Sequence, residues 1–176
     1  MKRRFMLGEI WMLTINAAFQ RANIYKLDCS NKEKEPFKEE LNKLLIKKSK
    51  EYNNRLISEE EHIQNIYSII SFSADYPNVL REGRLNFGIS QKLLSLYLKY
   101  LWCLDLIKYA PPHFPVDRII QTKLKITKPY SWTAMVDEKE YLNVIEIARK
   151  TLPKYEVDNL AELELKLFER NSSAKK

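Results

Sequence analysis

Apolar residues recur along this chain at the spacing of an α-helix. The clearest stretch contains Ile63, Ile66, Tyr67, Ile69 and Ile70. Residues separated by three, four and seven positions lie on one face of a helix, which has about 3.6 residues per turn. This stretch therefore predicts an amphipathic helix with one buried face.

Helix start signals divide the chain into further elements. Three pairs have capping-box spacing, in which a short polar side chain and an acidic residue three positions later bind each other's backbone: Ser30 with Glu33, Ser58 with Glu61, and Asp137 with Glu140. Together with the apolar pattern they predict helices near 7–25, 32–52, 59–74, 89–107, 117–126, 137–151 and 158–170. No stretch alternates long enough to predict a strand, and only three glycines occur in the chain. We therefore expect an all-α protein, a compact bundle of about seven helices.

The length of 176 residues and the 45% hydrophobic content are sufficient for one domain with a buried core. We expect a single helical domain over 1–176 with four parts. These are N-terminal helices (1–80), a basic segment with the candidate site (81–128), closing helices (129–170) and a frayed tail (171–176).

The positive charge of the chain is concentrated in the basic segment. The formal net charge is +7, and residues 81–128 contain nine Lys or Arg against three Asp or Glu. Residues 31–61 are balanced, with eight of each sign. A concentrated positive charge favours a polyanionic partner, with DNA ahead of a membrane surface. The alternative to a polyanionic partner is a basic surface that has no binding function.

Several classes of function are disfavoured by composition. The apolar run 93–107 is too short to span a bilayer and contains Lys99 and Asp105. We therefore expect a cytoplasmic protein that does not cross or bind a membrane. Two cysteines and two isolated histidines do not suit a zinc site or an iron–sulfur cluster. We expect no metal and no organic cofactor.

The candidate chemistry lies at two predicted helix starts. A glycine turn at Gly88 would present backbone N–H groups and a helix N-terminus to a phosphate. Lys92 follows in the same helix, where the helix dipole and burial both favour the neutral, nucleophilic amine. Asp117, at the start of the next helix, is placed to stabilise positive charge and to move protons.

These residues resemble the helix–hairpin–helix DNA glycosylases, notably the oxoguanine type, over about residues 83–120. In that family a glycine-rich hairpin reading roughly Gly-Val-Gly-x-Lys precedes a Pro-Val-Asp motif. Here 88–92 read Gly-Ile-Ser-Gln-Lys and 115–117 read Pro-Val-Asp. The resemblance implies that Lys92 attacks the sugar carbon, that Asp117 supports it, and that a helix–hairpin–helix-like turn at Gly88 grips a phosphate. Other segments, including 96–103, resemble small bacterial proteins without an assigned activity.

Further site residues are predicted by charge and by position. We expect the nucleic-acid contacts to come from Arg81, Arg84, Gly88, Ser90, Gln91, Lys108 and Arg118. The proline-rich connector before Asp117 contains the expected pocket for an extruded base, formed by Tyr109, His113 and Phe114.

The sequence therefore supports two hypotheses from different classes. The first is a DNA repair enzyme, a base-excision glycosylase and abasic-site lyase that uses a lysine nucleophile. The alternative is a non-catalytic helical module that binds nucleic acid or protein through the basic segment. A third interpretation, in which Gly88 and Asp117 are ordinary helix caps, assigns the motif no function.

Overall fold

A computed structural model describes residues 1–168 and contains seven α-helices. They are α1 (Lys2–Phe19), α2 (Asn31–Asn54), α3 (Glu59–Ser73), α4 (Phe87–Cys103), α5 (Arg118–Lys123), α6 (Lys139–Tyr155) and α7 (Leu160–Phe168). A 3₁₀ turn, Trp132–Ala134, lies between α5 and α6. Extended pairing among these residues is limited to one bridge between Tyr25 and Leu80, so the predicted all-α fold is confirmed. The expected tail at 171–176 and the last two residues of the predicted helix 158–170 lie outside the described residues.

Two of the three predicted capping boxes form. Ser30 and Glu33 bind each other's backbone at the start of α2, and Ser58 and Glu61 do the same at α3. The third is wrong, because α6 begins at Lys139, two residues after the predicted start. Asp137 accepts a hydrogen bond from the Lys139 N–H at 3.0 Å, and Glu138 is the N-cap.

Helix α4 is the centre of the protein. Every residue from Phe87 to Leu98 is buried, and α1 and α3 pack against this helix. Helices α6 and α7 pack on each other, and α5 contacts α7. Because α4 is covered on several sides, its few polar residues lie either in the core or in an opening between helices.

Some helix ends differ from the predicted ones. Helix α4 ends at Cys103 rather than near residue 107, since Asp105 adopts a left-handed backbone with φ of 53°. Helix α1 ends at Phe19, and Asn23 has φ of 40° in the following turn. Apolar periodicity continues past both ends, so the pattern does not reveal where the backbone reverses. Among residues 1–168, no helix combines the length and the apolar character that a membrane crossing requires.

Candidate active site

A cleft of about 670 Å³ opens beside α4. Its walls come from α1, α4, α5, α7, the Trp132 turn and the segment before α5. This volume is in the usual range of sites that enclose a small organic molecule or a single nucleotide. Lys92 and Asp117 both line it, so the two residues singled out by the sequence share one opening.

The Lys92 amine contacts the Asp117 carboxylate directly. Lys92 Nζ lies 3.2 Å from Asp117 Oδ2, and the two side chains are 10% and 16% exposed. The same amine lies 4.1 Å from the centroid of the Trp132 ring, in cation–π geometry. The lysine is thus held between an acid and an aromatic face, with little contact with bulk water.

Burial shifts the protonation equilibrium of Lys92 toward the neutral amine. Desolvation lowers its pKa below the ordinary value of a lysine, and the nearby Arg21 guanidinium lowers it further. The Asp117 carboxylate opposes both effects by stabilising the ammonium form. Burial, which the sequence analysis also names, is the largest of these causes. Lys92 lies in the second turn of α4, whereas the effect of the helix dipole falls off within the first turn.

Asp117 is fixed by the helix that follows it. It is the N-cap of α5, as the sequence predicts, and Oδ1 accepts a hydrogen bond from the Ile120 N–H at 3.1 Å. The cap occupies one carboxylate oxygen and leaves the other to Lys92. The aspartate therefore cannot turn away from the amine without breaking the start of α5.

Two buried glutamines align the segments that carry the site. The Gln91 side chain donates to the Val116 carbonyl at 2.8 Å and accepts from the Val116 N–H at 3.0 Å. Gln121 makes the equivalent pair with Tyr130, at 3.1 and 2.7 Å. Each amide side chain satisfies a backbone N–H and C=O of a loop that has no sheet partner. Gln91 thereby positions the residue before Asp117, and Gln121 positions the loop that leads to Trp132.

The predicted glycine turn is not found at Gly88. This residue lies inside the first turn of α4, and the glycine with a positive φ is Gly83 at 72°. A Cβ at Gly88 would lie 1.6 Å from the Trp132 carbonyl oxygen, and the Gly88 N–H donates to the Met135 carbonyl at 3.1 Å. The glycine is required by close packing of the Trp132 turn, not by a backbone reversal.

The predicted phosphate contacts at the start of α4 need a second correction. Gly88, Ser90 and Gln91 are buried, so they have no surface to offer a phosphate. The Ile89 N–H is also occupied, because it donates to the Asn86 side chain. An anion site would require free backbone N–H groups at this helix start. The N–H groups of Gly88 and Ile89 instead donate to Met135 and Asn86.

The predicted basic contacts separate into two groups. Arg118 is exposed and lines the cleft. Arg81 and Arg84 are exposed on the loop between α3 and α4, and Lys108 is exposed beside the end of α2, where its N–H donates to Asn53. These three lie outside the cleft.

The structure does not bring the three residues of the predicted base pocket to the cleft. Phe114 is in the core, His113 is 1% exposed and packs against His62 and Tyr141, and Tyr109 lies outside the cleft. The connector therefore buries His113 and Phe114 in the core and leaves Tyr109 half-buried. The aromatic side chains that do line the cleft are Tyr100, Trp132 and Phe168.

Sequence reasoning missed a second lysine–carboxylate pair in the same cleft. Lys99 Nζ lies 2.6 Å from Glu164 Oε2 and 2.7 Å from Oε1. The polar spacing of the last helix suggests a solvated Glu164, but the residue is 3% exposed. Lys99 follows Lys92 by seven positions, which is the one sequence feature that predicts a shared helix face.

Arg21, two residues past the end of α1, is a further cleft residue that the sequence does not indicate. It is exposed and lines the opening, so with Arg118 it places two guanidinium groups at the cleft. Among the described residues, no cluster of His, Cys, Asp or Glu side chains suits a metal ion. The cleft contains amines, carboxylates, guanidinium groups and aromatic rings.

Comparison with known proteins adds no relative to this geometry. The chain has no significant match to a protein family, to a curated protein or to a solved structure.

Proposed function

We propose that this protein is a DNA base-excision enzyme of the glycosylase and abasic-site lyase type, with Lys92 as the nucleophile. The observation that carries the proposal is the 3.2 Å contact between a desolvated lysine amine and a capped aspartate inside a nucleotide-sized cleft. A lysine attacks carbon as its neutral amine, and the lowered pKa of Lys92 increases the fraction of the residue in that form. The resemblance of residues 83–120 to the helix–hairpin–helix glycosylases supports the same assignment.

The reaction proceeds through a covalent imine. The neutral Lys92 amine attacks the C1′ carbon of an extruded nucleotide, and the C1′–N bond breaks with its electron pair leaving on the base, which takes a proton from water. The Lys92 nitrogen passes one proton to Asp117, which delivers it to the ring oxygen as the C1′–O4′ bond opens. The product is an iminium between Lys92 and C1′. The hydroxide left from that water then removes a C2′ proton, and a C2′=C3′ double bond forms as the C3′–O bond breaks and the 3′ phosphate leaves. Water hydrolyses the iminium, which frees the Lys92 amine and the sugar aldehyde.

The surroundings of the pair suit this substrate. Arg21 and Arg118 supply positive charge at the cleft for the phosphates that flank the nucleotide. Trp132 packs against the reacting amine and lines the cleft, so the sugar would lie beside this ring when Lys92 attacks. No metal is required, because the electrophile is activated by the departure of the base and by the iminium.

Borohydride trapping on DNA tests the proposal. Duplexes that contain 8-oxoguanine, uracil or an abasic site are incubated with the protein and borohydride, which delivers hydride to the iminium carbon and fixes the adduct. We expect a covalent protein–DNA species that is lost in Lys92→Gln. Lys48→Gln is the matched control, because Lys48 is also a partly buried lysine, bound to Asn65 on α3, but lies outside the cleft.

The two hypotheses give different results. An adduct in the wild type and in Lys48→Gln, absent from a folded Lys92→Gln, supports the enzyme. DNA retention that persists in Lys92→Gln, with no adduct from the wild type on any of the three substrates, contradicts it. That result supports the alternative, a module that binds DNA through exposed cations such as Arg81, Arg84 and Lys108.

A further inference from the structure

The Lys99–Glu164 pair occupies the cleft that contains Lys92 and Asp117. Both Glu164 oxygens lie within hydrogen-bond distance of the Lys99 amine. The Lys99 side chain is 14% exposed and the Glu164 side chain is 4% exposed. The lysine also lies 4.3 Å from the centroid of the Phe168 ring. The pair is therefore rigid, nearly dry and in contact with the open volume.

The pair lies at a fixed distance from the proposed nucleophile. Lys92 and Lys99 are seven residues apart on α4, which is two helical turns, or about 10 Å along the helix axis. The two lysines therefore lie along one side of the cleft, with Asp117 and Glu164 as their partners. This separation is comparable to the length of a sugar with its attached base.

Stability does not account for this arrangement. A buried ion pair regains its desolvation cost only with good geometry, and apolar side chains of similar volume are often at least as stabilising. Charged groups that line a cavity are, by contrast, the means by which a site distinguishes ligands of equal shape. Burial raises the pKa of Glu164, Asp117 raises it further and Lys99 opposes both, so this carboxylate is held in a site where its charge is poorly solvated.

We propose that Lys99 and Glu164 read the base edge of the nucleotide whose sugar faces Lys92, and that they select a lactam edge. A lactam edge places a carbonyl acceptor beside a ring N–H donor, as in hypoxanthine, guanine derivatives and uracil. Lys99 donates to the carbonyl and Glu164 accepts from the ring N–H. Adenine and cytosine present an amino group to Lys99 and an unprotonated ring nitrogen to Glu164. Two donors then face each other at Lys99 and two acceptors at Glu164, so neither hydrogen bond forms.

The inference rests on the proposed function, but its test does not use the covalent step. Binding of free 2′-deoxyinosine and 2′-deoxyadenosine to the full protein is measured by calorimetry, and 2′-deoxyuridine and 2′-deoxycytidine form a second matched pair. Each pair differs at the edge that the two side chains contact. We expect the wild type to prefer the lactam member by at least about tenfold in Kd, the effect of one or two hydrogen bonds.

Two variants and one control identify the residues responsible. Glu164→Gln keeps the side-chain length, but the amide can either accept from a ring N–H or donate to an unprotonated ring nitrogen. We therefore expect the ratio of the two Kd values in each matched pair to fall toward one. Lys99→Met removes the donor to the carbonyl and weakens only the lactam members. Lys48→Met removes a comparable interhelical lysine outside the cleft and leaves the preference unchanged. Circular dichroism confirms that each variant is folded.

The outcomes separate this inference from the proposed function. A wild type that binds neither nucleoside, or a preference that survives in folded Glu164→Gln and Lys99→Met, overturns the inference. Borohydride trapping at an abasic site, which contains no base, is independent of the pair. If the adduct is trapped but no base preference is found, the catalytic proposal is retained and the base-reading role of Lys99 and Glu164 is rejected. If the lactam nucleosides are preferred but no adduct is trapped, the base-reading role is retained and the catalytic proposal is rejected.

Discussion

Two groups of buried titratable side chains in this protein have opposite surroundings. Lys92 and Asp117 pair across the wall of a cleft, whereas His62 and His113 are enclosed in the core, with ring centroids 5.1 Å apart. Burial lowers the pKa of both histidines, to about 4 for His113, and leaves them neutral near pH 7. A carboxylate stabilises the charged form in both groups, Asp117 beside Lys92 and Glu59 at 3.5 Å from His113 Nε2, so the two groups differ in their access to the cleft.

The difference shows which buried groups are suited to chemistry. His62 accepts or donates one hydrogen bond with the Tyr52 hydroxyl at 2.8 Å and has no access to a ligand. Lys92 combines a lowered pKa with a proton acceptor and an open volume beside it. A shifted pKa alone is common in cores, and the adjoining cleft is what makes the lysine a candidate nucleophile.

The largest expected effect is on the cleft pair. Asp117→Asn removes the acceptor for the Lys92 proton, so the rate of borohydride trapping on an abasic site should fall by about 100-fold or more. His113→Asn should leave this rate unchanged, because His113 does not reach the cleft. Equal losses in the two folded variants would abolish the distinction between the clusters.

The same aspartate variant sharpens the assignment through pH. Trapping requires the neutral amine, so its rate should rise with pH through the pKa of Lys92, which lies below the ordinary lysine value. The Asp117 charge raises that pKa, and its removal should move the midpoint of the profile to lower pH. Rate–pH profiles of the wild type and Asp117→Asn measure this shift. A midpoint that moves upward would contradict the proposed pairing.

Gly88→Ala tests whether close packing holds the cleft wall. The new methyl group meets the Trp132 carbonyl, so the backbone must shift, at a cost of about 1–3 kcal/mol in the free energy of unfolding. Because Trp132 contacts the Lys92 amine, trapping should weaken as well. Gly8→Ala is the matched control, since nothing lies within 4 Å of a Cβ at that position. Urea unfolding measures both, and equal stabilities would refute the packing role of Gly88.

The enclosed histidines should give a smaller, graded effect. Their pKa values are lower in the folded protein than in the unfolded chain, so the unfolded state binds more protons below pH 6.5. Stability is therefore fully present above pH 6.5 and is lost as pH falls toward 4, by about 1.4 kcal/mol per pH unit for each histidine. His113→Leu should reduce this slope between pH 6.5 and 5. Urea unfolding across that range measures it, and identical slopes would contradict the assignment.

The sequence predicts features that depend on neighbouring residues. The caps at Ser30 and Ser58 involve side chains three positions apart, and both form. Asp117 is predicted as a helix cap for the same reason. The approach of Lys92 to Asp117 is an expectation that the family resemblance implies, and in the structure the two side chains are in contact.

The remaining features depend on contacts between distant segments. Gly88 is required by the close approach of Trp132, Gln91 binds Val116, and Lys99 binds Glu164. The partners are 44, 25 and 65 positions apart in sequence. A glycine before a helix has the same appearance in sequence whether it turns the chain or admits a neighbour. Likewise, His113 and Phe114, which are near Asp117 in sequence, lie in the core, and the aromatic side chains that line the cleft come from three other segments.

The most direct test of the central claim is to locate the reduced adduct. After borohydride trapping on abasic DNA and digestion of both components, mass spectrometry identifies the residue that carries the sugar remnant. The account predicts a secondary amine on Lys92, in the peptide from α4. A remnant on the N-terminal amine of Met1, or on an exposed lysine, would show that the buried pair is not the reacting group.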